Sequence, residues 1–493
     1  MNQSPPPATF RLEHSQIRLV MFGVVLAMLL GALDQTIVAT ALPTIGRELN
    51  NAEALSWVVT AYLLTATAVT PLYGKLSDIH GRRAMVLVAI ATFLVGSVAC
   101  AVAGNIYVLI AARALQGLGG GGLISLGQTI VGDVIPPRER GRYQAYFAGV
   151  FVTASIAGPI LGGFFAEHLH WSFIFWVNLP LGLCAYLLTN RVLRLLPRHE
   201  RPHKVDVAGA LLMMLATVAL LLALTWAGTT YAWTSPVILG LLAASALAWV
   251  LFGWRLVRAP EPFIPPAVLA NPVVRNGVIA VAFAVGASVG LSVFVPLYFE
   301  AVVGLTAAQS GLALIPFVGG TVAGATIAGR IMMHVVHYKR SALVGLLAGT
   351  VTLAVMAAYP AGLSFTLVEI VLALAGIGIG TIFPITTTSV QNAVPLHQMG
   401  TTTGVLNFFR SLGSALLVAV FGTIFLASAT ADTGVSVQRI IDEGVRAGVD
   451  FGPVFRGVFA AGAIACFIAF LFMLAMQEMP LRGRHSAPPA AAE

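Results

Sequence analysis

The chain predicts an all-α integral membrane protein with fourteen transmembrane helices: two six-helix bundles with a two-helix hairpin inserted between them. Three observations lead there. Of 493 residues, 58% are hydrophobic and 9% charged, whereas a soluble domain carries about 25% charged residues. Mean hydropathy is +0.91. Fourteen apolar runs approach or exceed the roughly 20 residues that a helix needs to cross the hydrocarbon. The chain also repeats itself over its length, with one pair of runs left over.

The runs cover about residues 17–43, 55–74, 84–104, 107–131, 143–166, 172–192, 206–227, 235–254, 276–303, 307–330, 342–359, 363–388, 402–427 and 454–477. The first is too long for a signal peptide, and no small-residue cleavage site follows it. With the N-terminus in the cytoplasm, 21 of the 27 Lys and Arg residues fall in cytoplasmic loops and tails. That is the bias of the positive-inside rule. The net charge of +8 therefore follows topology and is no nucleic-acid signal. A cell-membrane protein with both termini cytoplasmic is expected. Cys100, Cys184 and Cys466 lie inside runs and read as small core residues.

The repeat pairs "WVVTAYLLTATAVTPLYGKL" (57–76) with "GLALIPFVGGTVAGATIAGR" (311–330), and "DVIPPRERG" (133–141) with "NAVPLHQMG" (392–400). The offsets are 255 for Gly74/Gly329 and 259 for Gly141/Gly400. Near-equal offsets imply parallel six-helix repeats, an architecture of secondary transporters. The expected organisation is a disordered cytoplasmic N-tail (1–16), a first bundle (17–192), a linker and inserted hairpin (193–275), a second bundle (276–477) and a cytoplasmic C-tail (478–493). The longest loop, about 428–453, is too short for a soluble domain. "GKL" at 74–76 lacks the rest of a phosphate-binding loop. No enzyme activity and no cofactor are expected. An ion gradient is the expected energy source.

A carboxylate stands inside the first run, in "GALDQTIVATALP" (31–43). A charge at mid-helix costs about 2.5–3.5 kcal/mol on insertion scales, so such groups are usually paired and functional. At 1.5 Å per residue, Asp34 lies about 13 Å below the outer end of span 1, and Arg113 lies about 9 Å below the same face on span 4. The two are expected to meet. Asp34 is the candidate acceptor of a proton or a cationic substrate, with Arg113 as its partner. Glu300 near the outer end of span 9 and Glu369 near that of span 12 are further candidates.

At the cytoplasmic end of span 2, "GKLSDIHGRR" (74–83) reads as a gate loop. Gly74 allows close helix contact and Gly81 a tight reversal. Asp78 is placed to pair with Arg82 or Arg83, or to cap a neighbouring helix. Arg410, in the inner half of span 13, is expected to reach this loop. In span 5, "AGPILGG" (157–163) strips side chains from one stripe at Gly158, Gly162 and Gly163, and Pro159 removes a backbone hydrogen bond. The pairs in "HLH" (168–170) and "HVVH" (334–337) offer only two histidines each. Phe294, Phe299, Phe408 and Phe409 are candidate pocket aromatics, although lipid-facing positions explain any one of them.

The 74–83 stretch closely resembles the signature between spans 2 and 3 of the major facilitator superfamily. "RALQGLGGGG" (113–122), "AGPILGG", "LDQTIVATALP" in span 1 and "FIFWVNLPLG" (173–182) are similar to its fourteen-span drug:proton antiporter branch, the EmrB/QacA type. Ser172 stands where that branch commonly has arginine, and Glu300 where glutamine is more usual. The resemblance implies a proton-coupled antiporter that exports hydrophobic, in particular cationic, compounds by alternating access. Its partners would be those substrates, protons and the lipid bilayer, with no nucleic acid. Export of an endogenous lipid, siderophore or metabolite is the alternative. A channel or receptor fits less well, because no loop holds a signalling domain.

Overall fold

The computed structural model describes residues 14–49, 51, 54–195, 205–228, 230–433 and 451–481. Most of the expected N-tail, most of the basic linker, residues 434–450 of the long loop and most of the C-tail lie outside them. Fourteen helices among the described residues are long and apolar enough to cross a membrane. They are α1 Gln16–Glu48, α2 Leu55–His80, α3 Arg82–Ala101, α4 Ile106–Val134, α5 Gly149–His168, α6 Phe173–Val192 and α7 Val207–Trp226, followed by α8 Pro236–Arg258, α9 Pro272–Val303, α10 Gln309–His334, α11 Lys339–Ala358, α12 Phe365–Asn392, α13 Leu396–Ser428 and α14 Gly452–Ala475. The helix that ends in α5 already begins at Pro137.

Two compact units divide the chain. One takes Met1–Ala66, Leu76–Ile135 and Val150–His203; the other takes Thr67–Lys75, Pro136–Gly149 and Lys204–Glu493. The first packs Ile37, Val58, Leu109, Trp171 and Phe175 into an apolar cluster near the α1–α2 and α3–α4 connections. In the second, Leu291, Phe317, Leu353, Phe421 and Phe459 belong to a core shared by α9 to α14.

The hairpin α7–α8 belongs to the second unit. Polar caps set its ends. Asp206 accepts from Gly209 N at 3.0 Å and from Arg255 Nε at 3.1 Å. Ser235 accepts from Ile238 N at 3.3 Å, with Pro236 beginning the helix. Such caps satisfy N–H groups that the first helical turn leaves open. Trp249 of α8 lies 6.2 Å from the Phe408 ring of α13. Phe408 therefore serves the hairpin contact. Phe294 packs on Phe421 and Phe425, and Phe299 on Phe365. All three rings are buried.

Two expectations need correction. The stretch 74–83 is not an open loop: α2 runs on to His80 and α3 starts at Arg82. Gly81 alone makes the break, at φ +88° and ψ 150°, a conformation that side-chain-bearing residues rarely adopt. Cys184 is exposed rather than a core residue, while Cys100 and Cys466 are buried.

In the first unit, α5 lies against α1 along Gly158 and Gly162. A methyl group on Gly158 would strike the Thr36 side chain; one on Gly162 would strike Thr40 and the Ile37 carbonyl. Thr36 Oγ1 also donates to the Ala154 carbonyl across the seam at 2.8 Å. Gly163 does not share this face: a methyl group there meets nothing within 4 Å. Residues i and i+4 share a helix face, and the next residue is turned away by about 100°.

These contacts separate two variants. Gly162→Val should overpack the α1–α5 seam at a cost of about 1–3 kcal/mol. Gly163→Ala should leave stability unchanged. Thermal unfolding of the purified protein, followed by loss of the monodisperse size-exclusion peak, measures both. Equal midpoints for the two would contradict the assigned seam.

Candidate functional site

The expected pair of Asp34 and Arg113 forms, and it is sealed. Their side chains are 0% and 1% exposed, and Arg113 Nη1 donates to Asp34 Oδ2 at 2.7 Å. Three further residues, given no role in the sequence reading, complete the cluster. Gln116 Nε2 donates to Asp34 Oδ1 at 2.8 Å and to Ser97 Oγ at 2.8 Å. Asn178 Nδ2 donates to the same Oδ1 at 3.1 Å and to Ser97 Oγ at 3.3 Å. The carboxylate thus receives donors from α4 and α6 on both oxygens.

Arg113 is held equally closely. Its Nε donates to the Val58 carbonyl at 3.0 Å, and its Nη1 also reaches Gln116 Oε1 at 2.5 Å. The guanidinium lies 4.4 Å from the Tyr62 ring centroid and 5.8 Å from that of Phe175. Cation–π contacts of this kind gain strength when water is excluded.

Glycines make the seal possible. A methyl group on Gly96 of α3 would run into the Gln116 backbone, and one on Gly117 of α4 into Tyr62 and Thr65 of α2. Helices α2 and α3 therefore close directly on α4 around the pair. The small residues of "RALQGLGGGG" are what permit this approach.

At the other end of α2, Arg82 gathers polar residues of α2 and α4. Its Nη1 donates to Asp78 Oδ1 and to Ser77 Oγ, at 2.5 and 2.7 Å. Its Nε donates to Asp133 Oδ2 at 2.7 Å. One guanidinium thus ties the ends of α2 and α4 together, a fork suited to carboxylates. Arg83 does not join Asp78. It donates to Asn190 Oδ1 of α6, at 2.6 Å from Nη2. Asp133 and Asn190 had no assigned role from sequence.

Within the second unit, Gly74 and Gly141 make a matched pair of contacts. A methyl group on Gly74 would collide with the Gly400 carbonyl, and one on Gly141 with the Gly329 carbonyl. The internal repeat maps Gly74 onto Gly329 and Gly400 onto Gly141. Each contact is therefore the repeat image of the other. Arg138 Nε donates to the Met333 carbonyl at 3.2 Å, and Arg140 Nη1 to Gln391 Oε1 at 3.3 Å.

Arg410 is held within the second unit. Its Nη1 donates to Asn407 Oδ1 at 3.3 Å and its Nη2 to Thr387 Oγ1 of α12 at 2.7 Å. Glu300 lies in a π-helical turn, Phe299–Val303, that closes α9 and is ended by Gly304 at φ +79°. Glu369 is on the first turns of α12. Both are half-buried, and neither forms an ion pair among the described residues.

The histidine pairs are occupied otherwise. His170 Nε2 lies 3.2 Å from Glu48 Oε2, and its Nδ1 lies 2.8 Å from Ser172 Oγ. His337 Nδ1 lies 3.1 Å from Glu478 Oε2.

This geometry has relatives. Residues 24–418 match the Major Facilitator Superfamily. An uncharacterized MFS-type transporter of Mycobacterium tuberculosis is 33% identical over 485 residues, 95% of this chain and 70% of its own length. The multidrug transporter protein MdtP of Bacillus subtilis is 31% identical over 417 residues, 84% of this chain and 76% of its own. Among solved structures, the human organic anion transporter MFSD10 superposes with a TM-score of 0.64 at 16% identity, over 93% of this chain and 99% of that one. The proton:xylose symporter XylE gives 0.63 at 14% identity, over 95% and 98%. These two likenesses concern the fold alone. The family match and the sequence relatives identify the chain as a member of the major facilitator superfamily.

Proposed function

We propose that the protein is a proton-coupled antiporter of the cell membrane that exports hydrophobic compounds, cationic ones among them. The observation that carries this reading is the sealed Asp34 carboxylate, held inside the membrane-spanning region by Arg113, Gln116 and Asn178. Ionisable groups at such depth usually mark ion pathways. The multidrug name of the Bacillus subtilis relative supports the substrate class.

The chemistry follows from the bonds. A proton arriving on Oδ2 turns an acceptor into a donor that faces a guanidinium. The Arg113 contact must then break or lengthen. Arg113 retains Gln116 Oε1, the Val58 carbonyl and the Tyr62 face, so the cation is not stranded when Asp34 lets go. Asn178 and Gln116 still hold Oδ1. Protonation therefore changes one bond in a cluster that otherwise persists, which suits a reversible switch. The energy is sufficient: one charge moving through 100 mV is worth about 2.3 kcal/mol, roughly a fifty-fold concentration ratio.

Alternating access requires contacts that form and part. Gly74 against Gly400 and Gly141 against Gly329 are suited to this. At the glycines themselves the contact is backbone against backbone, and beside Gly141 the Arg138 and Arg140 hydrogen bonds are the ones that must be released. The Asp78–Arg82–Asp133 cluster fixes the end of α2 that carries Gly74.

Asp34→Asn should abolish uphill export while the protein still inserts and folds. Proteoliposomes with an imposed pH gradient measure this; uphill export at the wild-type rate would rule out a coupling role for Asp34. Arg113→Ala should instead destabilise by about 3–5 kcal/mol, because it strands a buried charge. Asp34→Asn with Arg113→Gln should regain much of that stability without regaining coupling, as read by thermal unfolding and transport on the same sample.

Asp78→Asn loosens the α2 end and leaves the Asp34 cluster intact. Turnover should fall while substrate affinity stays near wild type. A large affinity loss at normal turnover, in paired binding and transport assays, would contradict the gating role.

A further inference from the structure

Arg410 carries a buried donor without an acceptor. It lies on α13, and its level is set by Gly413, where an added methyl group would meet the Ala282 backbone of α9. Glu300 is 18 residues beyond Ala282 along α9, about 27 Å at 1.5 Å per residue. Glu369 lies 18 residues before Thr387 along α12, again about 27 Å. The two carboxylates of these spans are thus near the far ends of their helices. Among the described residues, Arg410 makes no ion pair.

What surrounds the guanidinium is neutral. It donates to Asn407 Oδ1 and Thr387 Oγ1 and lies 5.6 Å from the Phe383 ring centroid. Its Nε is sealed from solvent and has no acceptor. A guanidinium carries five N–H donors. Two have acceptors here, which leaves three, Nε–H among them. The side chain as a whole remains partly accessible. Arg113 shows the contrast: it has a carboxylate, a carbonyl, an amide oxygen and an aromatic face.

An uncompensated arginine within a span is costly, and a sealed donor without an acceptor adds about 1–3 kcal/mol. The surroundings fix the orientation of the guanidinium without neutralising it. The two Nη–H donors left over form a planar fork that matches a carboxylate, which can accept two parallel hydrogen bonds; the sealed Nε stays outside it. Phe383 supplies an apolar surface beside the fork.

We propose that Arg410, with Asn407 and Thr387, docks the carboxylate of the transported compound. The substrate class then includes aromatic amphiphiles that carry a carboxylate, anionic or zwitterionic, and is not confined to cations. This rests on the export function proposed above.

The test uses three probes on one apolar body: 2-naphthoate, its methyl ester and 2-naphthyltrimethylammonium. Equilibrium dialysis is run against the full chain in phosphatidylcholine nanodiscs, which present no anionic headgroup. The wild type should bind 2-naphthoate about tenfold more tightly than the ester, as expected for one charge-assisted bidentate contact. Arg410→Gln should lose that preference, and Arg410→Lys should keep part of it. Equal affinity for acid and ester in the wild type, or no binding of the acid, overturns the proposal. So does an acid preference that survives in Arg410→Gln. Should that variant fail to fold, the wild-type comparison and Arg410→Lys decide the matter. Uphill export of the trimethylammonium probe by wild-type proteoliposomes tests the export reading separately. Failure there with the acid preference intact rejects the export function and keeps the anion site.

Discussion

Hydrocarbon offers no hydrogen bonds, and that constraint governs the rest of the structure. Every backbone group within it must be satisfied by the chain itself, which leaves helices as the working element. Side chains face the same rule. Asp34 is tolerable because three side chains converge on its two oxygens, and Arg113 because a carbonyl, an amide and an aromatic face join the carboxylate. The glycines at 96 and 117 follow from this. A sealed ion pair needs helices closer together than side chains allow, so α3 and α4 give up theirs where the cluster lies. The network and the small residues around it form a single feature.

The same economy shapes the matched contacts of the second unit. Gly74 on Gly400 and Gly141 on Gly329 are backbone against backbone. Apolar side chains gain little by association in lipid, since the tails are as apolar as leucine. Close backbone approach gains dispersion and removes no donor or acceptor from its helical partner. Such a surface is also flat. Interlocked leucines would have to withdraw from one another, whereas here backbone faces part at the glycines and the hydrogen bonds of Arg138 and Arg140 beside them are released. The repeat relation between the two contacts means that one duplicated device serves both places.

Much of this was legible in the sequence because it rests on periodicity and depth. Apolar run length marked the fourteen spans. The rise per residue put Asp34 and Arg113 at similar depth, and they meet. Gln116, Asn178 and Ser97 were harder to see. A neutral polar residue in an apolar span is common, and only its partner gives it meaning. Helix geometry did hold one signal: Gln116 is three residues after Arg113, on the same face. It also held the correction at Gly163, since only Gly158 and Gly162 are four apart. The 74–83 stretch was misread as a loop because its charges suggest one. A single glycine proved enough to turn the chain, and the rest stayed helical. Asp133 and Asn190 were out of reach, because Arg82 and Arg83 find them across helices far apart in sequence.

The two arginines within spans mark a division of labour. Arg113 is fully engaged, and its cluster excludes water. It is suited to a small ion that alters one bond and leaves the others standing. Arg410 keeps three N–H donors without acceptors beside an aromatic ring, and part of its side chain remains accessible. A proton has no use for such a site, since a guanidinium is already protonated and stays so. On the proposal above, the carboxylate of the transported compound supplies the missing acceptor. On the proposals above, the sealed acid suits the driving ion and the partly accessible base suits the cargo. On the proposed function, separating the two would let the cargo vary without disturbing the cluster proposed to couple it to the gradient.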